Sequence, residues 1–114
     1  DLAVAPTCVR VPVFVGHAIS ARLTFAREVG HADVVATLAG APGLVLADAI
    51  GPAGEPLELP TSLAGAGRDE VLVGRIREDY DDPRSINLFV SGDNLVKGAA
   101  LNAVQLAELV VGAS

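Results

Sequence analysis

The sequence predicts an α+β domain, and three observations carry that prediction. Several stretches alternate apolar and polar residues at strand period, one short stretch has apolar residues at helical spacing, and the C-terminal segment is a long run of good helix formers. At 114 residues the chain is a single domain, 1–114, with a real but modest core. Hydrophobic residues make up 51% of it and aromatics only 4%, with no Trp or Met, so Val, Leu, Ile and Ala must fill that core.

Between Val9 and Val15 every odd position is valine, which predicts a strand with Val9, Val11, Val13 and Val15 on a dry face and Arg10, Pro12 and Phe14 opposite. Pro12 removes a ladder donor and places this strand at an edge or a bulge. Gly16 breaks the pattern, and ISARLTFAR, residues 19–27, reads as a second, half-buried strand. In HADVVATLAG the apolar residues at 34, 35, 38 and 39 predict a short amphipathic helix, stopped by Gly40 and Pro42. GLVLAD is a buried strand, and the glycines and prolines of 51–69 predict a long loop. EVLVGRIRE and SINLFVS are two further strands, separated by the acidic turn DYDDPR. Asp93 is the expected N-cap of the last helix, about five turns long and apolar nearly all round, so that it expects cover on more than one side.

The net charge of −6 argues against nucleic acid, because binding phosphates requires a basic face. No apolar run reaches the roughly 18 to 20 residues of a membrane span, and no signal peptide is evident, so a soluble, cytoplasmic protein that binds no membrane is expected. The single cysteine, Cys8, excludes an internal disulfide and any multi-cysteine metal site, and no metal is expected. The first residue is Asp1 and not Met, which suggests a fragment or a processed chain.

Arg10 and His17 are the residues most able to carry chemistry. They are either a solvated arginine and a loop histidine, or a guanidinium fork gripping a carboxylate beside an imidazole that exchanges protons near neutral pH. On one straight strand, residues seven apart face opposite ways, yet bends at Pro12 and Gly16 would let them meet. Cys8 reads poorly as a nucleophile, since nine residues of extended chain span about 30 Å. His31 suits a surface helix start, and Asp79, Asp81 and Asp82 a solvated turn more than a cation site. Neither a G-x-x-x-x-G-K-[ST] loop nor a G-x-G-x-x-G turn is present.

Taken together, PTCVRVPVFVGHA, AGRDEVLVGRIRED and SGDNLVKGAALNAVQLAELV resemble, in order and over nearly the whole chain, the C-terminal part of the aspartate-semialdehyde dehydrogenase family. The resemblance implies a mainly antiparallel sheet with helices on one face, similar to the second half of a glyceraldehyde-3-phosphate dehydrogenase-like C-terminal domain. It implies a catalytic and dimerisation domain joined to an NADP-binding domain, against which the helix of residues 91–111 would pack. The family reduces aspartyl phosphate to aspartate semialdehyde with NADPH through a cysteine thioester, on the route to lysine, threonine, methionine and diaminopimelate. Arg10 matches the arginine that binds the substrate carboxylate, His17 the acid/base histidine, and Asn94 an amide side chain placed against the cofactor. Asn102 and Gln105 read as helix-packing groups. Ala18 stands where members commonly have serine. The resemblance further implies a homodimer or higher homo-oligomer, with NADP bound by the full-length enzyme and none by this chain alone, which lacks the nucleophile and should be inactive. The competing reading is a non-catalytic module that keeps the family fold and only dimerises or binds a partner.

Overall fold

The structure is a computed structural model that describes residues 2–47 and 58–112. A four-stranded sheet is formed by β1 (His17–Thr24), β2 (Leu44–Leu46), β3 (Val71–Glu78) and β4 (Ser85–Gly92), in the order β1-β4-β3-β2. Pairing of β1 with β4 and of β4 with β3 is antiparallel, whereas β2 runs parallel to β3. The sheet is therefore mixed and mainly antiparallel. A parallel pair needs a crossover between its two strands, and here that is the connection from β2 to β3, which contains the short helix at Ser62–Gly65; α1 (His31–Leu38) lies earlier, between β1 and β2.

Alternation in β4, together with a one-residue slip in β3 between Val73 and Ile76, puts Val73, Ile76, Ile86 and Leu88 on one face, where they form the buried core. Val34, Val35 and Leu38 of α1 pack onto them, as the helical spacing predicts. The Glu78 carboxylate accepts the His31 N–H at 2.9 Å and ties the start of α1 to the end of β3. His31 thus begins a helix and does nothing else visible. The one-turn helix α2 (Ser62–Gly65) lies against the end of β4, where Ser91 donates its hydroxyl to the Thr61 carbonyl at 3.0 Å. Ser91 alternates to the face opposite Val90, so the expected grouping of helices on one face holds for α1 but not for this turn.

In β3 the register slips by one residue between Gly74 and Arg77, a bulge in which Arg75 adopts φ +55°, a conformation that non-glycine residues rarely take. The acidic turn is a scaffold. Asp79 accepts from the N–H groups of Asp81 and Asp82, from the Asn87 amide at 3.0 Å and from Arg22 at 3.0 Å, and among the described residues no cluster of metal-ligating side chains forms. The predicted loop 51–69 contains α2, and its residues 51–57, like Asp48 of GLVLAD, lie outside the described residues.

The predicted strand 9–15 is not formed. Residues 9–15 are irregular, and Val9, Val11, Val13 and Val15 are all exposed. A strand exists only as part of a ladder, and Val13 instead donates its N–H back to the Val11 carbonyl at 2.9 Å, closing a tight turn around Pro12.

The last helix begins as expected, with the Asp93 side chain accepting from Leu95 N–H at 2.7 Å and Val96 N–H at 3.0 Å. Its first turn, Val96–Ala100, is a wide π turn in which Gly98 N–H reaches back five residues to the Asp93 carbonyl at 2.9 Å. It continues as α3 (Leu101–Gly112), whose Val104, Leu106, Leu109 and Val111 are exposed. None of the described helices is long and apolar enough to cross a membrane.

Candidate functional site

His17 is the first residue of β1 and lies opposite Gly92. It is therefore placed by the ladder, not carried on a loop. The residue before it, Gly16, is buried and has φ +94°, a left-handed conformation that turns the incoming chain sharply. A Cβ on Gly16 would lie 3.1 Å from the Ser62 carbonyl oxygen, 3.3 Å from Ser62 Cβ and 3.4 Å from the Gly92 carbonyl oxygen. Only a glycine fits there in both conformation and space.

Three backbone segments converge at this point. Gly65 has the Gly92 backbone N and Cα so close that an added Cβ would meet each at 3.3 Å, so α2 and the end of β4 touch main chain to main chain. Asp93, only 5% exposed, follows directly and accepts from the N–H groups of Gly67, Leu95 and Val96. Asn94 then offers its Oδ1 to the Gly16 N–H at 2.8 Å. Start of last helix, end of β4, α2 and the entry to β1 are thus one hydrogen-bonded knot, and His17 leaves from it.

Arg10 is exposed and makes no hydrogen bond or ion pair among the described residues. The chain turns at Pro12 and again at Gly16, so the straight ladder that would hold Arg10 and His17 on opposite faces is absent. Cys8, also exposed, belongs to the same irregular segment. Two open concavities are present, the first of which shares Ser62 with the Gly16 kink. One of about 420 Å³ is lined by Leu59, Pro60, Thr61, Ser62, Arg75 and Phe89, and a second separates α3 from the Pro42–Gly43 turn.

Hydrogen bonds from Gly67, Leu95 and Val96 hold the Asp93 carboxyl below its ordinary value of 3.8. The Asn87 amide chiefly does the same for Asp79, and Arg84 does so for Asp82. A carboxyl lowered by folding stabilises the fold fully above its unfolded pKa, and the contribution is lost as pH falls through the folded one. The urea midpoint is therefore expected to be flat from neutral pH to about 5 and to fall once the pH drops below about 4. Asp93→Asn should lower the midpoint at pH 7 and flatten that acid limb, as denaturation across pH would show.

Gly16→Ala is expected to destabilise the fold by about 2–3 kcal/mol, combining left-handed strain with a 3.1 Å contact against the Ser62 main-chain oxygen. A stability within about 0.5 kcal/mol of the wild type would contradict this reading of the kink.

Both fold and sequence define a class of protein. Residues 1–97 match the semialdehyde dehydrogenase dimerisation domain, and the chain belongs to that family. Its relatives are more particular: it is 49% identical to the aspartate-semialdehyde dehydrogenase of Corynebacterium melassecola over 97% of this chain and 30% of that protein, and 41% identical to that of Aquifex aeolicus over 97% and 32%. The chain thus spans about a third of the length of these relatives. Among solved structures, aspartate semialdehyde dehydrogenase II from Vibrio cholerae complexed with ASA superposes with a TM-score of 0.76 at 42% identity, over 93% of this chain and 30% of that one. The enzyme from Francisella tularensis, at 19% identity and a TM-score of 0.75, shares the fold.

Sequence reasoning missed the Gly67 to Asp93 and Gly16 to Asn94 bonds, which join residues 26 and 78 apart. No local pattern announces such pairs, although SGDN following a strand does mark a polar turn where partners converge.

Proposed function

We propose that the chain is a C-terminal segment of an NADP-dependent aspartate-semialdehyde dehydrogenase, contributing Arg10 and His17 to its active site. The observation that carries this reading is the 49% identity to such enzymes across nearly the whole chain, with Arg10 and His17 separated by two bends in the folded backbone. The Arg10 guanidinium, uncommitted among the described residues, would hold the substrate carboxylate through two parallel charge-assisted bonds. His17 would take the proton from the attacking thiol of a cysteine outside this chain and later return a proton to the departing group. The acyl phosphate would become a thioester as phosphate leaves; bound NADPH would supply the hydride for its reduction, and the aldehyde would depart as the C–S bond breaks and the cysteine thiolate is released. For the cofactor this chain offers the Asn94 amide. Since no phosphate-cradling loop occurs here, the rest of NADP would be held elsewhere and the isolated chain would be inactive.

Homo-oligomerisation fits the same reading, because β1 is an edge strand exposed along nearly its whole length and α3 carries an open apolar face. The test is phosphate-dependent formation of NADPH from aspartate semialdehyde and NADP⁺ by the full-length protein. Absence of turnover in a protein that still self-associates would favour the non-catalytic module.

A further inference from the structure

We infer that Asn94 is a positioning residue for His17, in addition to any contact it makes with cofactor; this rests on the reading of His17 as the acid/base group. A peptide N–H can be met only by an acceptor, so the bond from Gly16 at 2.8 Å fixes the orientation of the Asn94 carboxamide, with Oδ1 on the chain and Nδ2 left over. The tie lands on the residue directly before His17, inside a kink already bounded by Ser62 and Gly92. Asn94 is itself held in place, because Asp93 beside it is buried and fastened by three main-chain donors.

His17 needs such an anchor. Its side chain is exposed and makes no hydrogen bond among the described residues, and Ala18 supplies no hydroxyl beside it. Among the described residues no side chain hydrogen-bonds the imidazole, so its placement depends on where the backbone enters β1. Asn94 sets that entry through Gly16. The NH₂ group then points away from the chain's own tie and is available to a ligand that presents an acceptor such as a carbonyl oxygen. Asn94 would thus couple the filling of the cofactor site to the position of the imidazole.

The full-length enzyme separates the two jobs of this one side chain. Asn94→Asp keeps an oxygen for Gly16 and removes the amide donor, whereas Asn94→Ala removes both. Asn94→Ala should lower kcat about tenfold and displace the limb of the pH–rate profile that disappears in His17→Asn, because a small misplacement of a reacting group is costly. Asn94→Asp should recover kcat to within about threefold of the wild type while the cofactor KM stays raised. If Asn94→Ala does not fold, Asn94→Asp against the wild type still decides, since a tenfold loss of kcat there overturns the proposal. A change confined to cofactor KM in Asn94→Ala, with kcat and the limb unmoved while His17→Asn has lost its activity, overturns the proposal alone. Wild-type kcat in His17→Asn overturns the acid/base reading and this inference with it.

Discussion

In the full-length enzyme, His17→Asn is expected to lower kcat by about 10²–10⁴-fold while the substrate KM stays within a few-fold of the wild type. The size follows from what a positioned acid/base group contributes to proton transfer, and the selectivity follows from its place in the reaction. His17 would act on the thiol and the departing group, not on the carboxylate that anchors the substrate, so its loss falls on the chemical step. Asparagine keeps a polar side chain of similar size but cannot exchange a proton. Because His17 is exposed at the first rung of β1, the substitution removes no packed core group, and the unfolding free energy should change by less than about 0.5 kcal/mol. Steady-state kinetics across pH provide the check, the limb due to the imidazole vanishing along with the rate. A loss below tenfold with that limb intact would leave the residue outside the chemistry.

How far the fold could be read in advance depended on whether a segment's partner is written in its own pattern. The alternation in Val71–Glu78 and Ser85–Gly92 is imposed by a core on one side, and α1 shows the spacing that buries Val34, Val35 and Leu38, so these elements were legible. The valines of 9–15 carry the same period but have no ladder to join among the described residues, and Pro12 turns the chain instead. Pattern reports propensity, and the ladder decides. The parallel pairing of β2 with β3 was not legible for the related reason that a strand's neighbour is a property of topology. The Arg75 bulge hides because arginine gives no sign of a positive φ. At the site, Gly16 was readable as a break and Asp93 as a cap, while the knot that binds them through Asn94 and Gly67 was not. The resemblance to a family named Arg10 and His17; local chemistry alone left them as one of two open readings.

Arg10→Lys in the full-length enzyme should raise the substrate KM and lower kcat together, for a fall in kcat/KM of about 100-fold. Lysine keeps the positive charge, so a role in long-range attraction would survive the change. What it loses is the planar fork that meets both oxygens of a carboxylate at once and thereby fixes the substrate's angle as well as its presence. Losing one of two charge-assisted bonds is worth about 1.5–3 kcal/mol, which is about 10- to 150-fold in kcat/KM. The looser pose accounts for the part that appears in kcat, since the acyl carbon is then less often in line with the thiolate. Stability supplies the control, because Arg10 is exposed and forms no bond within the described residues, so its substitution should leave the unfolding midpoint in place. A truncated substrate lacking the carboxylate should then be used equally well, or equally badly, by the wild type and by Arg10→Lys. If the variant matches the wild type on the intact substrate, the guanidinium is merely solvated, and the carboxylate is held by another group.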